Sequence, residues 1–117
     1  MQQNNREVGE KYERIAAAYL QSLGYKILEY NYRCPMGEID LIAQDGEYLV
    51  FCEVKYRKTK SKGTALEAVG RQKQRTICRC ALHYMVRMGQ MEAPIRFDVI
   101  GFEGEERIHI QDAFQNR

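Results

Sequence analysis

Two carboxylates and a lysine fall on a segment with the pattern of two β-strands joined by a tight turn. Asp40 lies in the first predicted strand, and Glu53 and Lys55 lie in the second. Because side chains two residues apart on a strand point to the same side, Glu53 and Lys55 share a face of the sheet. An ionised group on a buried strand is costly unless it is paired or binds a metal. The cluster therefore predicts a divalent-metal site with oxygen ligands.

The turn between these strands decides which acids face each other. If Asp45-Gly46 is the two-residue loop, Glu38 lies opposite Glu53; if Gly46-Glu47 is the loop, Asp40 lies opposite Glu53. Glycine is favoured at the first position of a type II′ turn, so we favour the second register. The registers differ by two residues, so the acids stay on one face in both. The side chains predicted on the opposite face are Ile39, Leu41, Cys52 and Val54.

The element before the hairpin is predicted from hydrophobic periodicity. Apolar residues between Glu7 and Leu23 recur at helical spacing, and Gly24 follows as a C-cap. Glu13 lies on the flank of this apolar stripe, within reach of the sheet edge that the helix covers. A strand over Tyr25–Arg33 follows the helix.

A second helix is predicted from Thr64 to Met88, with Thr64 as N-cap and Glu67 as its capping-box partner. Lys73 interrupts the apolar stripe of this helix. Two interpretations are open: the lysine extends its ammonium to solvent, or the first turns of the helix aim it at the carboxylates.

Strands predicted over Ile95–Ile100 and Arg107–Ile110 complete the order of helix, three strands, helix and two strands. This order predicts an α/β fold, a mixed five-stranded sheet flanked by helices, in a single domain over residues 1–117. No apolar run approaches the length of a membrane span, and the start Met1–Asn5 is too polar for a signal peptide. We therefore expect a cytoplasmic protein without membrane association.

Cysteine and histidine residues offer no zinc-ligand spacing in this chain. We expect reduced thiols at all four cysteines, which are Cys34, Cys52, Cys78 and Cys80. His83 and His109 have no evident partner in the sequence.

Basic residues crowd the segment from Lys55 to Arg79, where Glu67 is the single acid. A charge run alone is more often a solvated surface than a binding site. Beside carboxylates, it favours an anionic polymer such as nucleic acid. The residues expected to contact the phosphate backbone without reading sequence are Arg57, Lys58, Lys60, Lys62, Arg71 and Lys73.

Four sequence blocks together resemble the small bacterial YraN-like family. They are G-E-I-D-L-I at 37–42, E-V-K-x-R at 53–57, R-F-D-V at 96–99 and D-A-F at 112–114. An Asp, then thirteen residues on a Glu-x-Lys, after a helix bearing a glutamate, resembles the wider PD-(D/E)xK nuclease superfamily. That likeness implies a restriction-endonuclease-like core close to that of archaeal Holliday junction resolvases.

The resemblance also implies roles for single residues. Asp40, Glu53 and Glu13 match metal ligands, Lys55 matches the catalytic lysine, and Lys73 matches a basic position of the second helix. The family often has Gly-Glu where this chain has Tyr12-Glu13. The implied activity is an Mg²⁺- or Mn²⁺-dependent endonuclease acting on structured DNA, with junction- or repair-type substrates.

Two alternatives remain at the level of sequence. One is a catalytically silent nucleic-acid-binding module on the same fold. The other is a structural protein whose acids are ion-paired with Lys55 and Lys73. A symmetric substrate would call for a homodimer with two active sites, although no interface stripe remains once both helices are assigned to the core.

Overall fold

One five-stranded sheet lies between two helices in the computed structural model, which describes residues 5–57 and 66–115. The predicted order of elements and the mixed five-stranded sheet are confirmed. The helices are α1 (Asn5–Ser22) and α2 (Arg71–Arg87), and the strands are β1 (Lys26–Cys34), β2 (Gly37–Asp45), β3 (Tyr48–Arg57), β4 (Ile95–Glu103) and β5 (Glu106–Phe114).

The strands lie in the sheet in the order in which they occur along the chain. β3 and β4 are parallel, and the other neighbouring pairs are antiparallel. A parallel pair needs a crossover connection, and α2 lies in that connection. Of the described residues, neither helix combines the length and the apolar character needed to cross a membrane.

The β2–β3 hairpin has the register that the sequence analysis favoured. Asp45 pairs with Tyr48 and Leu41 pairs with Cys52, which leaves Gly46-Glu47 as the loop. Gly46 has φ of 61°, as the first position of a type II′ turn requires. Continued beyond Leu41, this register sets Asp40 opposite Glu53.

Each helix covers one face of the sheet. The smaller cluster packs α1 on strand residues and includes Ala16, Ala17, Leu20, Leu41, Val50 and Cys52. The larger cluster packs α2 on the other face and includes Ile77, Tyr84, Ile39, Ile42, Phe51 and Phe97. Alternate residues of β3 enter opposite clusters, as a strand buried on both faces demands.

The alternation fails in β1 and β2 at one point, and there one prediction is wrong. Tyr30 pairs with Leu41, which packs on the α1 side, whereas Tyr32 pairs with Ile39 and both pack on the α2 side. Asn31 lies between these pairs with φ of 50°, in the left-handed region. The irregular backbone turns Ile39 to the face opposite the one we expected.

The start of α2 also differs from the prediction. Thr64, the expected N-cap, lies outside the described residues, and Glu67 lies exposed in a turn. Val69 is buried and donates its N–H to Leu66 O at 3.0 Å, so the chain turns before the helix begins. Gly70 is the N-cap, with an extended backbone and without a side-chain cap. Burial of Val69 and the poor helix propensity of glycine account for the later start.

The β1–β2 turn approaches α2 closely. A Cβ at Gly37 would lie 2.5 Å from Thr76 Cγ2, so only glycine fits there. Next to this contact, Cys34 and Cys80 bring their sulfur atoms to 2.9 Å. The four cysteines are free thiols, as predicted.

Candidate active site

Asp40 lies where β2 and β3 separate. Its Oδ2 accepts a hydrogen bond from the backbone N–H of Val54 at 2.8 Å. The pairing of β2 with β3 ends at Leu41 and Cys52. The Val54 N–H therefore donates to the Asp40 side chain, whereas in a longer ladder it would donate to a backbone carbonyl of β2. The arrangement holds the Asp40 side chain in the gap between the strands, accessible to groups from both faces.

Glu53 approaches from the α2 face. Its side chain is 3% exposed and shares a hydrogen bond with Asp40. Lys55 Nζ lies 3.8 Å from Glu53 Oε2, and Lys73 Nζ lies 3.5 Å from the same oxygen. The first turn of α2 thus aims Lys73 at the carboxylates, which supports the second of the two interpretations of this residue.

Glu13 approaches from the α1 face. Its carboxylate is half-buried, accepts a hydrogen bond from the Asn31 side chain and shares another with Asp40. The Tyr12 ring, at the position where the family often has glycine, stacks on Tyr56 with centroids 4.1 Å apart. The larger residue therefore anchors α1 on the sheet, and Glu13 still reaches Asp40.

Two carboxyl groups of this site, those of Glu13 and Glu53, have raised pKa values. Burial first, then the neighbouring Asp40 carboxylate, raises the pKa of Glu13 to about 7. Burial and the hydrogen bond shared with Asp40 raise the pKa of Glu53 to about 9, against the opposing charges of Lys73 and Lys55. Like charges this close cannot all ionise without a proton or a cation between them.

The donor set suits a hard divalent cation. Carboxylate oxygens are the ligands that Mg²⁺ prefers, and it takes few of them from protein. Over residues 5–57 and 66–115, no three acidic, histidine or cysteine side chains meet as a ready-made metal cluster. The acids instead form two hydrogen-bonded pairs, Glu13 with Asp40 and Glu53 with Asp40.

Of the other predicted phosphate-binding residues, the structure describes Arg57 and Arg71. Arg57 is paired with buried Glu103, and its own side chain is 19% exposed. Arg71 is exposed at the start of α2 and lines a separate groove of about 680 Å³ against the end of β5. The lysines of the loop, Lys58, Lys60 and Lys62, fall outside the described residues.

Sequence reasoning missed Asn31, which lies opposite Asp40 in the β1–β2 register and donates to Glu13. Its signal was weak: asparagine tolerates the left-handed region better than most residues, but nothing in the strand pattern requires that conformation.

The view that the two histidines lack partners was wrong. His83 Nδ1 lies 2.7 Å from the Tyr32 hydroxyl. His109 Nε2 lies 2.7 Å from Asp98 Oδ2, and its Nδ1 lies 3.0 Å from the Tyr19 hydroxyl. Asp98 also accepts from Arg96 Nε at 2.9 Å. His109 and Arg96 thus tie the buried Asp98 into a polar network with Tyr19.

Comparisons with known proteins show that the part of the chain carrying the candidate site matches a protein family. The model of a family described as "Uncharacterised protein family UPF0102" matches residues 12–102, a range that contains Glu13, Asp40, Glu53, Lys55 and Lys73. A UPF0102 protein of Symbiobacterium thermophilum is 48% identical over 115 residues, covering 94% of this chain and 98% of the relative. One of Pseudoalteromonas translucida is 44% identical over 108 residues, covering 92% and 88%.

Proposed function

The chain belongs to the uncharacterised protein family UPF0102, and from its site we propose that it is a divalent-metal-dependent endonuclease hydrolysing phosphodiester bonds of structured DNA. The observation that supports this most is that Glu13 and Glu53 each share a hydrogen bond with Asp40, where two strands separate, and that two lysines lie beside Glu53. The sequence likeness to PD-(D/E)xK nucleases supports the same activity.

The three carboxylates would hold Mg²⁺ or Mn²⁺, since hard oxygen ligands favour these ions. When bound, such an ion supplies charge that stabilises the transition state at the scissile phosphate and favours deprotonation of the attacking water. Asp40 would be the shared ligand, because it hydrogen-bonds with both other acids and is fixed by the Val54 N–H.

The two lysines would serve the phosphate. Their side chains are 34% and 38% exposed, so each ammonium can leave Glu53 for an anionic substrate. Lys55, on the same strand face as Glu53, orients the nucleophilic water or stabilises charge on the phosphate oxygens. Lys73 approaches from α2 and holds the phosphate from a second direction.

Structured DNA is proposed as the substrate because the sequence resembles junction resolvases. Lysines beside the acids would contact the phosphate backbone without reading the base sequence. Junctions and repair intermediates are the candidate forms.

A cleavage assay tests the proposal. Labelled single strand, duplex, flap and four-way junction are incubated with Mg²⁺, Mn²⁺ or EDTA, using the wild type and the Asp40→Asn and Lys55→Ala variants. We expect metal-dependent cutting that falls by about 100-fold or more in both variants. Lys26→Ala, an exposed lysine on β1, is the matched control and should cut like the wild type.

Equal cutting by wild type and variants would contradict the proposal and point to a contaminating nuclease. Binding without cutting would favour the catalytically silent module instead. The hydrogen bonds that pair Glu13 and Glu53 with Asp40 are also compatible with that module. Absence of both would favour the structural alternative.

A further inference from the structure

A groove lies beside the acids, between α1 and the edge strand β1. Its volume is about 420 Å³, and its lining residues are Glu10, Glu13, Arg14, Tyr30 and Asn31. That size falls within the range of about 300–1,000 Å³ usual for small-molecule sites. Because Glu13 forms one wall, a molecule in the groove would lie next to the candidate metal site.

Tyr30 offers an aromatic surface in this groove. It pairs with Leu41, which faces α1, and it lies on the edge strand, where it is 51% exposed. Within the described part of the chain, no other ring or cation stacks on Tyr30. The left-handed Asn31 ends the regular pleat directly after Tyr30, so the next tyrosine turns to the other face.

The charges of the groove favour a base over a phosphate in its interior. Glu10, which pairs with Arg6 at 3.5 Å, and Glu13 add no positive charge that would bind a phosphate, whereas the oxygens of a carboxyl group can accept from the amino group of a base. Arg14 is exposed and can contact a phosphate at the rim.

We propose that this groove binds one unpaired nucleotide next to the scissile phosphate, with its base stacked on Tyr30 and its phosphate contacted by Arg14. The inference rests on the proposed nuclease function and narrows its substrate to DNA with an unpaired nucleotide at a branch, flap or gap. A base within a continuous duplex is stacked on its neighbours, and extruding it costs a few kcal/mol.

Binding is measured with full-length protein that carries Asp40→Asn, because asparagine keeps an oxygen acceptor for Val54 N–H and cleavage is prevented. Fluorescence anisotropy without metal compares a duplex with the same duplex containing a short single-stranded flap. Tyr30→Ala and Tyr30→Phe are added to this background. Tyr48→Ala is the matched control, since Tyr48 is 46% exposed and lies outside the groove.

Tyr30→Ala should weaken binding of the flap substrate by about 5- to 150-fold, the range expected when one stacking partner is lost. Duplex binding should change by less than about 2-fold, and Tyr30→Phe, which keeps the ring, should preserve the flap preference. Equal losses on both substrates, or an equal loss in Tyr48→Ala, would overturn the inference and leave the nuclease proposal standing. If the Asp40→Asn parent binds neither DNA, the proposed function itself fails.

Discussion

Two buried carboxylates on neighbouring strands have opposite properties. Asp98 on β4 is fully buried, and burial alone would raise its pKa, but hydrogen bonds from His109, Arg96 and the Asp112 N–H outweigh this and lower it. Glu53 on β3 is also buried, but its pKa is raised to about 9. Burial and the neighbouring Asp40 outweigh the charges of Lys55 and Lys73, whose Nζ atoms lie 3.8 and 3.5 Å from Glu53 Oε2.

The difference separates a buried charge that the fold compensates from the buried acids that we propose bind a metal. Asp98 has donors at hydrogen-bond distance on both oxygens, so its negative charge is already compensated by the fold. Glu53 is compensated only in part, because its two lysines lie 3.8 and 3.5 Å away, and burial raises its pKa. A buried acid that the protein leaves uncompensated is a candidate for binding a cation or a substrate.

The largest expected effect is on stability, from breaking the compensated acid. Asp98→Asn removes the buried charge that Arg96 and His109 face, while Arg96 keeps Asp45 at 3.0 Å, and it should lower the free energy of unfolding by about 3 kcal/mol. Glu53→Gln should change it by at most about 1 kcal/mol, because the lysines it releases are partly exposed. Urea unfolding of both variants checks this, and similar losses would erase the proposed contrast.

Asn31 should show a smaller effect. Asn31→Val places a β-branched residue at φ of 50° and should destabilise the protein by about 1–3 kcal/mol. Asn31→Gly should keep the free energy of unfolding within about 1 kcal/mol, because glycine adopts the left-handed conformation without strain. It also removes the side chain that donates to Glu13, so it should weaken Mn²⁺ binding. Thermal melting and Mn²⁺ titration separate the two roles; equal stability of the two variants would show that the left-handed backbone is not required.

The smallest effect is in the pH dependence of stability. The charged or titratable groups around Asp98 are Arg96, His109, Tyr25, Asp45 and Cys52. Because its pKa is lowered in the folded state, Asp98 stabilises the fold above its unfolded pKa of about 3.9, and this is lost as pH falls through the lower folded value. The stability gap between wild type and Asp98→Asn should therefore narrow below about pH 4. A gap that widens there would contradict the assigned sign.

The positions of the acids around Asp40 could largely be predicted from the sequence. Strand alternation and the glycine of the turn predicted the hairpin register, and helical periodicity placed Glu13 near the sheet edge. These signals are local, since each depends on residues a few positions apart. Periodicity placed Lys73 on the apolar stripe of α2 but left open whether its ammonium reaches solvent or the acids, and the predicted start of α2 was wrong.

The rest depended on contacts between distant parts of the chain. Asp98 reaches His109 only because β4 and β5 pair, and the β-strand pattern of Arg96–Val99 does not reveal that partner. The position of Ile39 on the other face goes with the left-handed backbone of Asn31 in the paired strand. A regular two-residue alternation does not predict such an irregularity.

Mn²⁺ binding to the wild type, Glu53→Gln and Glu38→Gln tests the central claim most directly. Glu38 is the matched control, since it belongs to the same hairpin but is 40% exposed and paired with Arg33 at 3.2 Å. We expect the wild type to bind Mn²⁺ saturably. Its affinity for Mn²⁺ should fall by about 10-fold or more in Glu53→Gln and be unchanged in Glu38→Gln. No saturable binding, or equal binding by all three proteins, would contradict the assignment of these buried acids as a metal site.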